Sequence, residues 1–487
     1  MRYSLLAALV LAGGVVCIQA AKAPKSEIAP DVQSALDRIS PNGLRGDISF
    51  LASDLLEGRG SPSRGLDVAA EFIASEFRRA GLEPAVNGDY FQVAQMETRR
   101  PDMQGFKFEI SADGRTVSVA PDNAILEIDR AIDLKDVPVV RLSSDSKPED
   151  LNGKVVISAT RLRSAREILR QAHPALVVMT ARRAPDAGFP SARLTDPSET
   201  ARARPPRLIV FSKDLADLAE NRHAAATATV HIAAPVAQKA TLRNVIGVLP
   251  GSDPALKDTY VIVSAHYDHL GMKADGEDRI YNGANDDASG TASVIEIANA
   301  LAGLKQHPAR SIVFMAFFGE EEGLIGSEYY VHHPVFPLAK TIANVNLEQM
   351  GRTDSTDGKQ VGTVAPTGYG YSSMLDDFKA AAEETGVKML DAGEETDRFF
   401  TASDNYSFAE AGIPAHTFCV AFQYPDYHGV GDEWRKIDYD NMARVDRTMA
   451  LGIVMLSGDS TGPQWNASNP KAKRFADARK SNDAGQQ

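Results

Sequence analysis

A chain of 487 residues has room for two or three domains and a substantial core. With 43% hydrophobic and 24% charged residues it reads as an ordinary globular protein, which excludes the collagen-like and mostly disordered classes. A net charge of −13 argues against nucleic acid as the main partner, because phosphate binding needs a basic surface.

The first residues, Met1-Arg-Tyr-Ser, carry a positive charge; Leu5 to Ile18 is apolar, and small residues follow at Ala20, Ala21 and Ala23. That order is a secretory signal peptide over residues 1–20, and it predicts a periplasmic or secreted protein. The apolar run is shorter than the roughly 20 residues that span a bilayer, and no later segment is long enough. No integral membrane segment is therefore expected after cleavage. Val16 precedes Cys17 where a lipoprotein signal needs a small residue, so a free exported protein is expected. Export leaves Cys419 without a partner for an intramolecular disulfide. Its apolar setting, Ala415-His-Thr-Phe-Cys-Val-Ala421, predicts a buried core thiol.

From about residue 39 to 91 the pattern is helical, with DISFLASDLLEGR followed by LDVAAEFIASEFRRAGLEP. The second segment ends at Gly81 with Arg78 and Arg79 in its last turn. Between them the Gly-rich GRGSPSRG reads as a surface loop. From about residue 97 to 234 come short β-like runs (VVRLSS, GKVVISAT, ALVVMTA, RLIVFS) and one amphipathic helix, SAREILRQAH. This stretch is also rich in arginine, read as solvated surface, and it forms a separate, mostly β insert over 125–235. It follows an N-terminal part over 24–120. Over 240–458 strands and helices alternate as in a doubly wound α/β domain. Strands are expected at 260–265, 311–318, 342–347 and 415–420, and helices at 292–304, 371–385 and 442–456. The tail, 459–487, has little apolar periodicity and is expected to be disordered.

The chemistry gathers at the ends of those strands. In FFGEEEGLIGS a buried strand stops at Gly319 and releases Glu320, Glu321 and Glu322 where an α/β sheet places its ligands. SAHYDHLG delivers His266, with Asp268 two residues on to take the other ring N–H of a metal-bound histidine. GANDDASG delivers Asp286, NVNLEQMGR delivers Glu348, and DYHGVGDE delivers His428. Two histidines and several carboxylates from different strand ends suit a hydrolytic zinc site. The chain has no G-x-S-x-G elbow, Walker A loop, G-x-G-x-x-G fingerprint or H-E-x-x-H helix.

These motifs together resemble the M28 family of cocatalytic zinc exopeptidases, which includes bacterial aminopeptidases, folate-cleaving carboxypeptidases and a degenerate relative, the transferrin receptor. The resemblance is carried by H-x-D at His266 and Asp268, N-D-D-A-S-G at 285–290, E-E-x-G-L-x-G-S at 320–327, N-L-E at 346–348 and Y-H at Tyr427 and His428. It implies a mixed-sheet α/β peptidase domain, and it makes the insert similar to a protease-associated domain. It also implies two Zn2+ ions. Asp286 would bridge them, Glu321 and His428 would complete one site, and His266 and Glu348 the other. Glu320 would be the general base acting on a metal-bridging water, and Glu322 an exposed spare. Asp268 would support His266, and the Asp286–Asp287 peptide would be cis. Tyr427 would stabilise the oxyanion or serve packing. The family usually has aspartate where Glu348 stands, so the second site could take another divalent metal. Asp404 and Asp432 match family positions that shape the surrounding loops. His269, His332, His333 and His416 match none and read as packing or surface. The substrate implied is a peptide or dipeptide, with an aminopeptidase as the first reading. A carboxypeptidase or dipeptidase, and a non-catalytic receptor-like ectodomain, stay open as alternatives.

Overall fold

The computed structural model describes residues 28–484, apart from 144, 159–167, 170, 182–192, 198–204, 221–224 and 357. The expected signal peptide (1–20) and half of the helix expected at 164–173 lie outside the described residues. Among the described residues no helix is long and apolar enough to cross a membrane.

The main body is a mixed sheet built from β1 (Phe91–Arg100), β2 (Arg193–Thr195), β3 (Val236–Leu249), β4 (Tyr260–His266), β5 (Ser311–Phe317), β6 (Thr341–Leu347), β7 (Thr363–Pro366) and β8 (Ala415–Cys419). They lie in the order β7-β8-β6-β4-β5-β3-β1-β2, with Lys388–Met389 outside β7 and Glu83–Pro84 beside β3. Its centre is parallel, β4 pairing with both β5 and β6 and β6 with β8, while β3, β1 and β2 run antiparallel to their neighbours.

The continuous apolar run of β5 follows from this position. Ile312, Phe314 and Ala316 face one core and Val313, Met315 and Phe317 the other, so every residue of the strand is buried. One core packs under α1 (Pro41–Leu51), α2 (Arg64–Ala80), α3 (Gly290–Ala302), α5 (Met374–Thr385) and α7 (Tyr439–Gly458). The other lies under α4 (Ile325–His332), α6 (Asn405–Glu410) and α8 (Lys473–Ala484). Helices on both faces make the domain doubly wound. The stops are local: Ser63 Oγ accepts from Leu66 N at the start of α2, and Gly81 closes the helix at φ 81°.

Three expectations about organisation are corrected. The tail is not disordered: Trp465, Ala472, Phe475 and Ala476 are buried against the sheet, and α8 carries the last two. Those few apolar side chains suffice because the core face they meet already exists. The N-terminal part does not run to 120. Lys107–Ala112 and Arg115–Ser118 belong to a second, eight-stranded sheet that ends with Ala226–Ile232 and has its own apolar core. The insert also does not stand apart, because β2 leaves it to pair with β1.

Candidate metal centre

The parallel strands end on one side of the sheet, and the singled-out residues collect there. His266 is the last residue of β4, Glu320 and Glu321 follow β5 within a short turn, and Glu348 follows β6 directly. Asp286 precedes α3, and its peptide bond to Asp287 is cis. His428 reaches the group from the loop after β8 with φ at 54°, a loop tied down by Arg352 Nη1 donating to Asp426 Oδ2 (2.9 Å).

Within the group His266 Nε2 lies 3.4 Å from Asp286 Oδ1, and His428 Nε2 lies 3.0 Å from Asp286 Oδ2 and 3.4 Å from Glu321 Oε2. Ligand atoms about 2.0–2.1 Å from a tetrahedral zinc stand about 3.3–3.4 Å apart, so these separations are close to the edges of a coordination polyhedron. His266, Asp286 and Glu348 also place one ligand atom each within 4.8 Å of one another. The hydrogen-bond accounting agrees. His266 Nε2, Asp286 Oδ2, Glu348 Oε2 and His428 Nε2 are all buried without a hydrogen-bond partner. Buried polar atoms are normally satisfied, so four converging orphans fit a cation. The donor set of imidazole and carboxylate suits zinc.

Electrostatics point the same way. Burial pushes Glu320 well above the usual carboxylate range; His266 opposes this, and Glu348 and Glu321 add to it. Burial likewise lifts Glu348 to about 7, against His266 and with Asp286. At His428 burial opposes protonation, but Asp286 and Glu321 outweigh it and raise the imidazole to about 9. Protons stand where a cation would serve the same carboxylates.

The surrounding shell is continuous. Asp268 Oδ1 lies 3.5 Å from His266 Nδ1 and accepts from Glu320 N (3.1 Å), so one carboxylate supports the histidine and fixes the glutamate turn. Asp287 Oδ1 accepts from Gly290 N (2.9 Å) and Gln349 N (3.0 Å), joining the Asp286 loop to the Glu348 loop. Gly290 is required there, since a Cβ would lie 2.2 Å from Leu347 O and 2.4 Å from the Asp287 carboxylate. Asp432 accepts from Asn285 N, Asp286 N and the Tyr424 hydroxyl, which makes it a loop-shaping residue. Asp404 is buried behind the group, where burial raises it to about 7. Tyr427 stacks on His428 with ring centroids 4.0 Å apart and remains 40% exposed at the pocket wall.

Three sequence readings need correction here. GRGSPSRG is not simply a surface loop: Arg59 is fully buried, donating to the carbonyls of Tyr267 (2.8 Å), Asn282 (2.8 Å), Gly283 (3.0 Å) and Leu51. An arginine between glycines, after a helix and before another, was the available signal. Glu322 is half-buried instead of an exposed spare, and its carboxylate accepts from the backbone of Leu194 in β2. His269 is no bystander. It is buried at the centre with Nδ1 2.7 Å from Glu321 Oε1, and its place three residues after His266 was the clue.

Residues 244–453 match peptidase family M28. Among curated relatives the chain is similar to Aminopeptidase YwaD of Bacillus subtilis, 31% identical over 241 residues covering 48% of this chain and 49% of the relative. It is also similar to a probable zinc metalloprotease of Pyricularia oryzae, 28% identical over 264 residues covering 44% of this chain and 49% of that protein. The chain thus spans about half the length of these curated relatives. Among solved structures, an aminopeptidase from Aneurinibacillus sp. strain AM-1 superposes with a TM-score of 0.60 at 22% identity, covering 87% of this chain and 95% of the other. The zinc aminopeptidase BSAP from Bacillus subtilis superposes with a TM-score of 0.51 at 20% identity, covering 85% and 95%. At those identities the structural likeness speaks for the fold alone.

Proposed function

We propose that the chain is an exported dizinc aminopeptidase of family M28. The observation that carries the metal centre is the convergence of His266 Nε2, Asp286 Oδ2, Glu348 Oε2 and His428 Nε2, buried and unpartnered, with Glu321 beside them. With two ions bound, Asp286 would serve both positions, Glu321 and His428 would complete one, and His266 and Glu348 the other. Zinc bound there supplies Lewis acidity to water and to the scissile carbonyl. Glu320, held at its backbone by Asp268, is the base that takes the proton from water and returns it to the leaving amine. Tyr427 lines the same pocket, placed to donate to the oxygen where charge develops. The leader at 1–20 supports export, and the second sheet supports the reading of the insert as a protease-associated domain.

Polarity follows from the pocket's chemistry. Among the described residues that line it there is no lysine or arginine to pair with a substrate carboxylate. Gln349 sets two acceptors side by side instead. With its NH2 donating to Ala421 O (2.8 Å) and Phe422 O (3.1 Å), its oxygen stands 3.3 Å from Glu348 Oε1. The opposite orientation would press the amide oxygen against both carbonyls. The carboxylates of Asp286, Glu320, Glu321 and Glu348 in the lining suit an α-ammonium group, and the neighbouring wall of Phe399, Phe422 and Ala402 suits an apolar first residue.

The test is mass spectrometry of one unmodified peptide and its N-acetylated copy after incubation with zinc-loaded protein. Stepwise shortening of the free peptide alone, from its N-terminus, is expected. Trimming from the C-terminus would move the assignment to a carboxypeptidase, and no cleavage of either peptide would overturn the enzymatic reading. In Glu320→Ala activity should fall to near background while zinc content stays at the wild-type level; retained activity would remove Glu320 from its role.

A further inference from the structure

His269 stands inside this centre without matching any ligand position, and its geometry gives it a distinct part. Its Nδ1 lies 2.7 Å from Glu321 Oε1, whereas Glu321 Oε2 is the oxygen facing His428 Nε2 at 3.4 Å. The two oxygens of one carboxylate are therefore divided between two histidines. The distances differ: 2.7 Å is hydrogen-bond distance, shorter than the about 3.3–3.4 Å between two ligands of one tetrahedral ion. The His269 ring is fully buried and meets the His428 ring edge-on at 5.8 Å. It is also clamped from behind. Gly283 sits at φ 58° with its missing Cβ position only 2.5 Å from His269 Cγ and Cδ2, so the backbone there makes room for this ring.

We infer that His269 is a positioning residue for Glu321. By holding Oε1 it leaves Oε2 as the single oxygen for the ion shared with Asp286 and His428. Glu321 otherwise rotates about its last torsion, and a carboxylate free to do so binds with either oxygen or both. A fixed one presents the same atom on every turnover. The inference rests on the two-ion reading above, and it assigns the effect of His269 to one ion of the pair.

The experiment measures zinc per chain after dialysis, and zinc affinity by chelator competition, in wild type, His269→Ala and His269→Asn. Asparagine keeps an N–H near the position of Nδ1 and removes the rest of the ring. Loss of the fixing bond is expected to weaken one of the two ions in His269→Ala by about 10–100-fold, taking occupancy from about two towards one. His269→Asn is expected to recover most of that loss. Equal affinities in all three proteins would overturn the inference, and so would an asparagine variant as weak as alanine, which would leave packing or direct ligation as the role. A wild type that binds fewer than two ions would count against the two-ion reading instead. Melting curves of the metal-free proteins report folding separately, and if the alanine variant does not fold, His269→Asn against His269→Leu carries the same comparison.

Discussion

Arg59 explains how two loops of the candidate metal centre hold their relative position. Its guanidinium serves carbonyls from α1, from the loop after β4 and from the loop before Asp286, at the point where Asp268, Asp287, Asp432 and Asp286 concentrate negative charge. Burial lowers it to about 10, yet it stays charged at neutral pH. In Arg59→Met four buried carbonyls lose this donor, and among the described residues only Gly283 O keeps a second one, Ala288 N. The expected cost is at least on the order of 3 kcal/mol from unsatisfied acceptors, read as a lower denaturant midpoint, together with weaker zinc retention. Arg59→Lys should not restore either property, because a point charge cannot reach a planar fork's partners. Unchanged stability and zinc content in the methionine variant would show that the loops are held by something else.

At the scale of helices, α3 and α7 meet through a buried carboxyl. Asp446 of α7 accepts from Ser293 Oγ of α3 (2.8 Å), and its second oxygen has no partner. Burial raises it to about 8; the Ser293 bond opposes this, Glu296 adds to it, and Arg447 opposes it. The folded value lies above the unfolded value of about 4, so the folded chain binds the extra proton between them. Stability from this group is therefore full below about pH 4 and falls as pH rises through about 8. Asp446→Asn keeps the acceptor and removes the charge. It should melt higher than wild type at pH 9 and close to wild type at pH 5, and the same difference at both values would refute the assignment.

The helices and strands of the main domain were legible because each has a strong period. The run 311–318 shows two-face burial in its composition, and α2 carries its own cap and stop. The five candidate ligand positions could be proposed from sequence because His266 and Glu348 fall at strand ends and Asp286, Glu321 and His428 in the loops that follow strands. Arg59, His269 and the Leu194 contact of Glu322 were not legible in that way. Their partners lie far along the chain, up to 224 residues away for Arg59, so the local signals mark the residues without specifying what they touch. The orientation of Gln349 is of the same kind, fixed by carbonyls that follow β8.

For the whole molecule the tail is the clearest case of structure supplied by context. Trp465 and Phe475 cover Phe400 and His416, with centroids 5.1 Å apart from each other, and Arg310 donates to Asp459 O (2.7 Å). A chain ending at Gly458 would expose that face. Each large aromatic contributes about 1.5–3 kcal/mol by burial, so truncation should lower stability by about 3–6 kcal/mol, seen as a reduced melting temperature. A truncated chain as stable as the full one would mean that α8 is only laid on the surface.

The insert leaves the main sheet at Arg100 and returns at Val236, and those two residues are partners in one register pair. By that alone it would hang from a single point, free to swing like a pendant. A second attachment changes the mechanics: Thr195 pairs with Glu97, Leu194 is buried in the main core, and the chain there touches Gly319 and Glu322. A body pinned at two places keeps at most one rotation, about the line that joins them. Any pull on the insert is then carried through the second pin into the turn that holds Glu320.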